Sequence, residues 1–201
     1  MFSPSDLELE RGWPGRIEDE HVVQLAAQTL QAFFTGGGNA REHAVYPLAD
    51  VVLRAPVLRP PSVRLFEGDD FVFANPASIH GPGDVIRLPD GVERIEPILR
   101  VAAIVGGEGA IGGYTLLNEC RAPALRGAKA YDFALTLGPV VLTPDEVDVT
   151  LEELVARAAR NTRLVPGDVI AASGRRAEPA GSGDVVELTV PPFGTLRNPI
   201  A

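Results

Sequence analysis

Three ionisable residues near the middle of the chain have side chains suited to chemistry. Glu119 closes the run Gly113-Tyr114-Thr115-Leu116-Leu117-Asn118-Glu119, Arg100 interrupts the apolar run Ile98 to Val105, and Lys129 opens Lys129-Ala130-Tyr131-Asp132-Phe133. A carboxylate such as Glu119 carries protons, and a guanidinium such as Arg100 grips a substrate carboxylate through paired N–H donors. A lysine with a pKa lowered by desolvation serves as a general base or polarises a carbonyl. Each has a second reading. Arg100 and Glu119 are natural counter-ions for one another in an apolar setting. Lys129 has Asp132 or Glu119 as ion-pair partners.

Other sites are thinly represented. His21, His43 and His80 are the three histidines, and none is spaced with another His or with Cys120 as a transition-metal site requires. His80 either enters a cleft or sits on a surface loop. Asp69-Asp70 reads either as a carboxylate pair or as solvated turn residues. Tyr114, Tyr131 and Trp13 are candidates for packing before binding. The chain has no Gly-x-Ser-x-Gly elbow, P-loop or GxGxxG turn. Gly106 to Gly113 is glycine-rich but leads into a strand pattern, so it is not a phosphate cradle.

These residues must be held by a β-rich framework. The 201 residues suffice for one domain with a buried core, and 21 Gly with 18 Pro imply many turns. Ile98 to Val105 reads as a central strand, broken only by Arg100. Strands are expected at 63–66, 71–73, 85–88, 114–118, 131–137, 140–142, 168–172, 184–190 and 194–197. Apolar residues at helical spacing predict a helix over 21–34, ended by Gly36-Gly37-Gly38. Thr150 with Glu153 predicts a capped helix, and Thr143-Pro144 with Glu146 predicts a capped short turn. The class is β-rich α+β with two or three short helices.

Net charge of −9 argues against a broad nucleic-acid footprint. No apolar run reaches the roughly 18–20 residues of a membrane span. The start lacks a basic, apolar leader, and the lone Cys120 excludes an internal disulfide, so the cytoplasm is the expected compartment.

Several segments occur in an order that resembles the fumarylacetoacetate hydrolase family. They are Pro56-Val57-Leu58-Arg59-Pro60-Pro61, Phe73-Ala74-Asn75-Pro76-Ala77-Ser78 with Gly81-Pro82-Gly83-Asp84, the strand ending at Gly106, Gly113-Tyr114-Thr115, the Lys129 segment, Leu137-Gly138-Pro139, Leu164 to Ile170, and Gly194-Thr195-Leu196-Arg197-Asn198. The resemblance spans about residues 50–201, and Gly15-Arg16-Ile17-Glu18 resembles the family's leading segment. It implies a rolled β-sandwich over 51–201 with a small appendage over 1–50, and a homodimer. It implies a small dicarbonyl, 2-oxo-acid or polyketide-like substrate, and a Mg²⁺ or Mn²⁺ ion held by carboxylates that chelates the dicarbonyl and stabilises its enolate.

The chain departs from that pattern at the metal. The family's Glu-x-Glu pair falls at Ile98 and Arg100, and a two-residue shift recovers only Glu96. The third ligand position is Glu119. The expectation is therefore a degenerate site: either no metal, or a cation on Glu119 and Glu96. The segment for the catalytic His and its Glu partner is shortened to Leu65-Phe66-Glu67-Gly68-Asp69-Asp70, and the family's substrate-loop lysine is Ala74. Lys129, Glu119 and Arg100 are the expected catalytic set, with Asn118, Tyr114, Asp132 and His80 about the substrate. C–C cleavage, decarboxylation, isomerisation or cyclisation would all suit them. The alternative is a non-catalytic relative that binds a small molecule or a partner subunit, as the missing lid suggests.

Overall fold

The computed structural model describes residues 1–7 and 9–201. The chain begins with β1 (Phe2–Pro4), β2 (Gly15–Glu18), β3 (His21–Leu25), α1 (Leu30–Thr35), β4 (Glu42–Pro47) and β5 (Val51–Leu53). β2, β3 and β4 form a three-stranded antiparallel sheet, while β1 pairs with β5. β6 (Val63–Glu67), β7 (Asp70–Ala74), β8 (Ile79–His80), β9 (Arg94–Val105), β10 (Ile111–Arg121) and β11 (Leu135–Leu142) follow. The remainder is α2 (Glu152–Ala158), β12 (Val169–Ala171), β13 (Arg175–Arg176), β14 (Ala180–Gly181), β15 (Val185–Val190) and β16 (Gly194–Pro199).

The principal sheet has nine strands. Seven run in the order β7-β6-β12-β9-β10-β11-β8, with β13 and β14 added along β9. β9 and β10, the longest strands, form its centre because their side chains are buried on both faces. One face packs Val63, Leu65, Ala102, Leu117, Leu137 and Val169. The other packs Phe66, Ala103, Val105, Tyr114, Leu116 and Ile170 against Val155 of α2 and Leu196 of β16. The result is a β-rich α+β fold with two short α-helices, as expected. No helix among the described residues is long and apolar enough to cross a membrane.

The expected helix over 21–34 is corrected. Its first part is strand β3, hydrogen-bonded to β2 on one side and β4 on the other. Val22 and Val23 are β-branched, and two flanking strands satisfy the backbone that a helix would have satisfied internally. Only Leu30–Thr35 is helical, capped by Thr29 Oγ1 accepting from the Ala32 N–H at 3.0 Å. The helix α2 begins at Glu152 without a side-chain cap, and Glu153 instead pairs with Arg157. The Thr143–Glu146 capping box is present. The two strands expected over 131–142 are one, β11, and Tyr131 lies before it. Over 85–88 only an isolated bridge forms, between Ile86 and Ile200.

Candidate functional site

Strand register gathers the charged residues on one face. Glu119 lies opposite Ile98, Leu117 opposite Arg100, and Arg121 opposite Glu96. Alternation along each strand then puts Ile98, Arg100, Glu119, Arg121 and Glu96 on the same side of β9 and β10.

Arg100 is the centre of this group, with 1% of its side chain exposed. Its Nε and Nη2 donate to Glu119 Oε2 at 2.9 and 2.7 Å. Nη1 donates to the Phe66 and Ala172 carbonyls at 2.8 and 2.9 Å, and Nη2 also donates to Glu67. All five N–H donors of the guanidinium are therefore used. Glu119 is wholly buried, and its other oxygen, Oε1, accepts from Arg121 Nε and Nη2 at 3.0 and 2.6 Å. Arg121 lies over the Tyr131 ring, 5.6 Å from its centroid. Glu96 pairs with Arg176 from β13.

This donor set does not fit a divalent cation. Both oxygens of Glu119 are held by guanidinium groups, whose charge repels a metal ion, and Glu96 is held by a third. The Glu119–Glu96 ligand pair is thus corrected to two carboxylates in separate arginine pairs. Among the described residues, no cluster of three or more His, Cys, Asp or Glu side chains is arranged to hold a metal ion.

The other expected site residues are dispersed. Lys129 is 80% exposed and pairs with Asp132 at 2.9 Å. Asn118 faces away from Glu119, its Nδ2 3.5 Å from Cys120 Sγ and its Oδ1 without a partner among the described residues. Tyr114 belongs to the apolar cluster on that opposite face and reaches Glu152 at 3.3 Å. Burial pushes its phenol pKa up. His80 follows in the row Asn118–Thr136–His80 across β10, β11 and β8. Burial lowers its pKa despite the nearby Asp84. The expectation that Asn118, Tyr114 and His80 share a cleft with Glu119 is therefore corrected: the sheet separates them. Two clefts, of about 490 and 430 Å³, lie toward the N-terminal strands, and Arg100, Glu119 and Lys129 line neither.

Glu67 was the participant that residue type alone did not single out. Its one signal is position, at the end of β6 in the shortened 65–70 segment.

No family model and no curated protein matches the sequence. Solved structures do. A maleylpyruvate hydrolase from Sphingobium sp. SYK-6 superposes with a TM-score of 0.77 at 20% identity, covering 97% of this chain and 99% of that one. The fold is that of the fumarylacetoacetate hydrolases. A 5-carboxymethyl-2-hydroxymuconate delta-isomerase from Mycobacterium smegmatis, at TM-score 0.76 and 21% identity, covers 100% of this chain and 97% of its own. A 2-keto-3-deoxy-D-arabinonate dehydratase complexed with magnesium and 2,5-dioxopentanoate, at TM-score 0.78 and 17% identity, covers 96% of each. The maleylpyruvate hydrolase is also known in complex with manganese(II) ion and pyruvate. In this chain Ile98, Arg100 and Glu119 lie together on one face of β9 and β10, where Arg100 and Glu119 form a salt bridge.

Proposed function

We propose that this chain is a small-acid-processing relative of the enzymes that share its fold, working without a cation at Glu119. The observation that carries this reading is charge balance. Arg100, Arg121 and Arg176 face Glu67, Glu96 and Glu119, three guanidinium groups against three carboxylates. A divalent ion would add two charges with no counter-ion left to receive it.

The substrate class is a small dicarbonyl or 2-oxo acid. Guanidinium groups bind carboxylates in matched geometry and, in a site screened from water, stabilise an enolate oxygen as it gains charge. Of the two arginines on Glu119, Arg121, 30% exposed, brings this positive charge nearer to solvent. Glu119 is the proton carrier of this scheme once an anionic substrate draws an arginine away from it. C–C cleavage, decarboxylation and enolate isomerisation or cyclisation all use these roles.

A second reading, a non-catalytic relative that binds a small acid, is favoured by the complete use of Arg100's donors and by the exposed Lys129–Asp132 pair. One experiment separates the two. Oxaloacetate and acylpyruvates are incubated with the protein in EDTA, and again with Mn²⁺. Turnover in EDTA that is lost in Glu119→Gln supports a metal-free enzyme. Turnover only with Mn²⁺ sinks it. Binding without turnover in either buffer leaves the non-catalytic reading.

A further inference from the structure

Arg100 and its partner Glu67 differ sharply in exposure. The Arg100 side chain is 1% exposed and that of Glu67 is 62% exposed. The remaining Arg100 partners are buried Glu119 and two backbone carbonyls. The Glu67 carboxylate therefore covers the solvent side of the buried guanidinium.

Glu67 ends β6 at the tight turn into β7. Gly68 follows with φ of +65°, and its N–H donates to Ser173 Oγ at 3.0 Å. The backbone of the turn is anchored there while the Glu67 side chain remains free to leave. An exposed carboxylate gains little from an ion pair, because water solvates it almost as well. Arg100 is buried and has no such alternative: one Nη2 N–H stays on Glu119, and the other keeps an acceptor only if another group replaces the Glu67 carboxylate.

We infer that Glu67 is an internal stand-in for a ligand carboxylate, and that Arg100 Nη2 is a gated binding point for a small carboxylic acid. The exchange conserves charge and hydrogen bonds: one carboxylate leaves Nη2 and another takes its place. Arg121, on the other oxygen of Glu119, borders the same point. The inference rests on the small-acid reading above and names the residue that limits access to the site.

Calorimetric titration of the full chain with pyruvate tests it. In Glu67→Ala the pyruvate Kd falls at least tenfold below that of the wild type. Glu67→Gln, which keeps the shape and removes the charge, moves Kd in the same direction and guards against a folding defect in the alanine variant. Adding Arg100→Met with Glu119→Leu to Glu67→Ala abolishes the gain. An unchanged Kd in both Glu67 variants, absence of pyruvate binding in them, or equal binding of methyl pyruvate overturns the inference. Binding and turnover fail separately. Tighter pyruvate binding without turnover keeps the gate and removes the enzyme, whereas turnover with unchanged Kd removes the gate alone.

Discussion

Arg100 and Glu119 lie on neighbouring strands, two residues out of direct register, and close a buried ion pair through hydrogen bonds of 2.9 and 2.7 Å to one carboxylate oxygen. Breaking such a pair from one side leaves a charge in an apolar setting. Arg100→Met is expected to cost about 3–5 kcal/mol. Arg100→Met with Glu119→Leu is expected to lie closer to the wild type than Arg100→Met alone, since no buried carboxylate is then left with Oε2 unpaired and only Arg121 on its other oxygen. Urea unfolding of the variants measures both. A double variant less stable than the single would refute the compensation.

The same geometry predicts that a metal site can be built here by substitution. Ile98 faces Glu119 directly, and Arg100 is on the same side. Ile98→Glu with Arg100→Glu would place three carboxylates at one point, a donor set suited to Mn²⁺ or Mg²⁺. Saturable Mn²⁺ binding is expected in this variant and not in the wild type, as read by titration of the Mn²⁺ paramagnetic signal. Equal binding by both proteins would show that the arginines do not exclude the ion.

His80 gives the fold a pH dependence of definite sign. Burial lowers its pKa below the unfolded value of 6.5, with Asp84 opposing. The unfolded chain therefore binds the extra proton first, and stability falls as pH drops through about 6.5 toward the folded value. In His80→Gln that part of the loss disappears. Thermal melts between about pH 7.5 and 5.5 should show a shallower decline for the variant, and parallel curves would contradict it.

Cys120 is buried, and desolvation together with the neighbouring Glu119 pushes its thiol pKa up to about 12. Since the thiolate is the reactive form, native protein at pH 8 should resist iodoacetamide and denatured protein should react fully. Mass spectrometry of the two samples decides it. Rapid native labelling would mean that β10 opens far more readily than its burial implies.

Gly174 packs against the charged centre. A Cβ there would overlap Ile98, lie 2.8 Å from Arg100 Cγ and lie 3.0 Å from the Leu99 carbonyl oxygen. Gly174→Ala is expected to destabilise by about 1–3 kcal/mol, because the backbone carbonyl cannot yield as a side chain can. Denaturant unfolding checks the size, and a neutral effect would mean that β13 shifts freely along β9.

Much of the framework was legible in the sequence. The apolar run of β9, broken only by Arg100, marked a strand covered on both faces, and the strand patterns at 184–190 and 194–197 correspond to β15 and β16. The Thr143–Glu146 box is similarly local, since it is closed within three residues. Even the charged centre was half visible, as an arginine in an apolar strand demands a counter-ion. What the sequence left open depends on contacts between distant segments. His21–Leu25 is a strand because β2 and β4 flank it, and its own spacing suited a helix equally well. Glu67 meets Arg100 across 33 residues because β6 and β12 are placed beside β9. Lys129 remains at the surface because its neighbour Asp132 meets its charge there. Local sequence sets strand, turn and cap preferences through short-range sterics and hydrogen bonds; only the order and register of the sheet determine which buried charges meet.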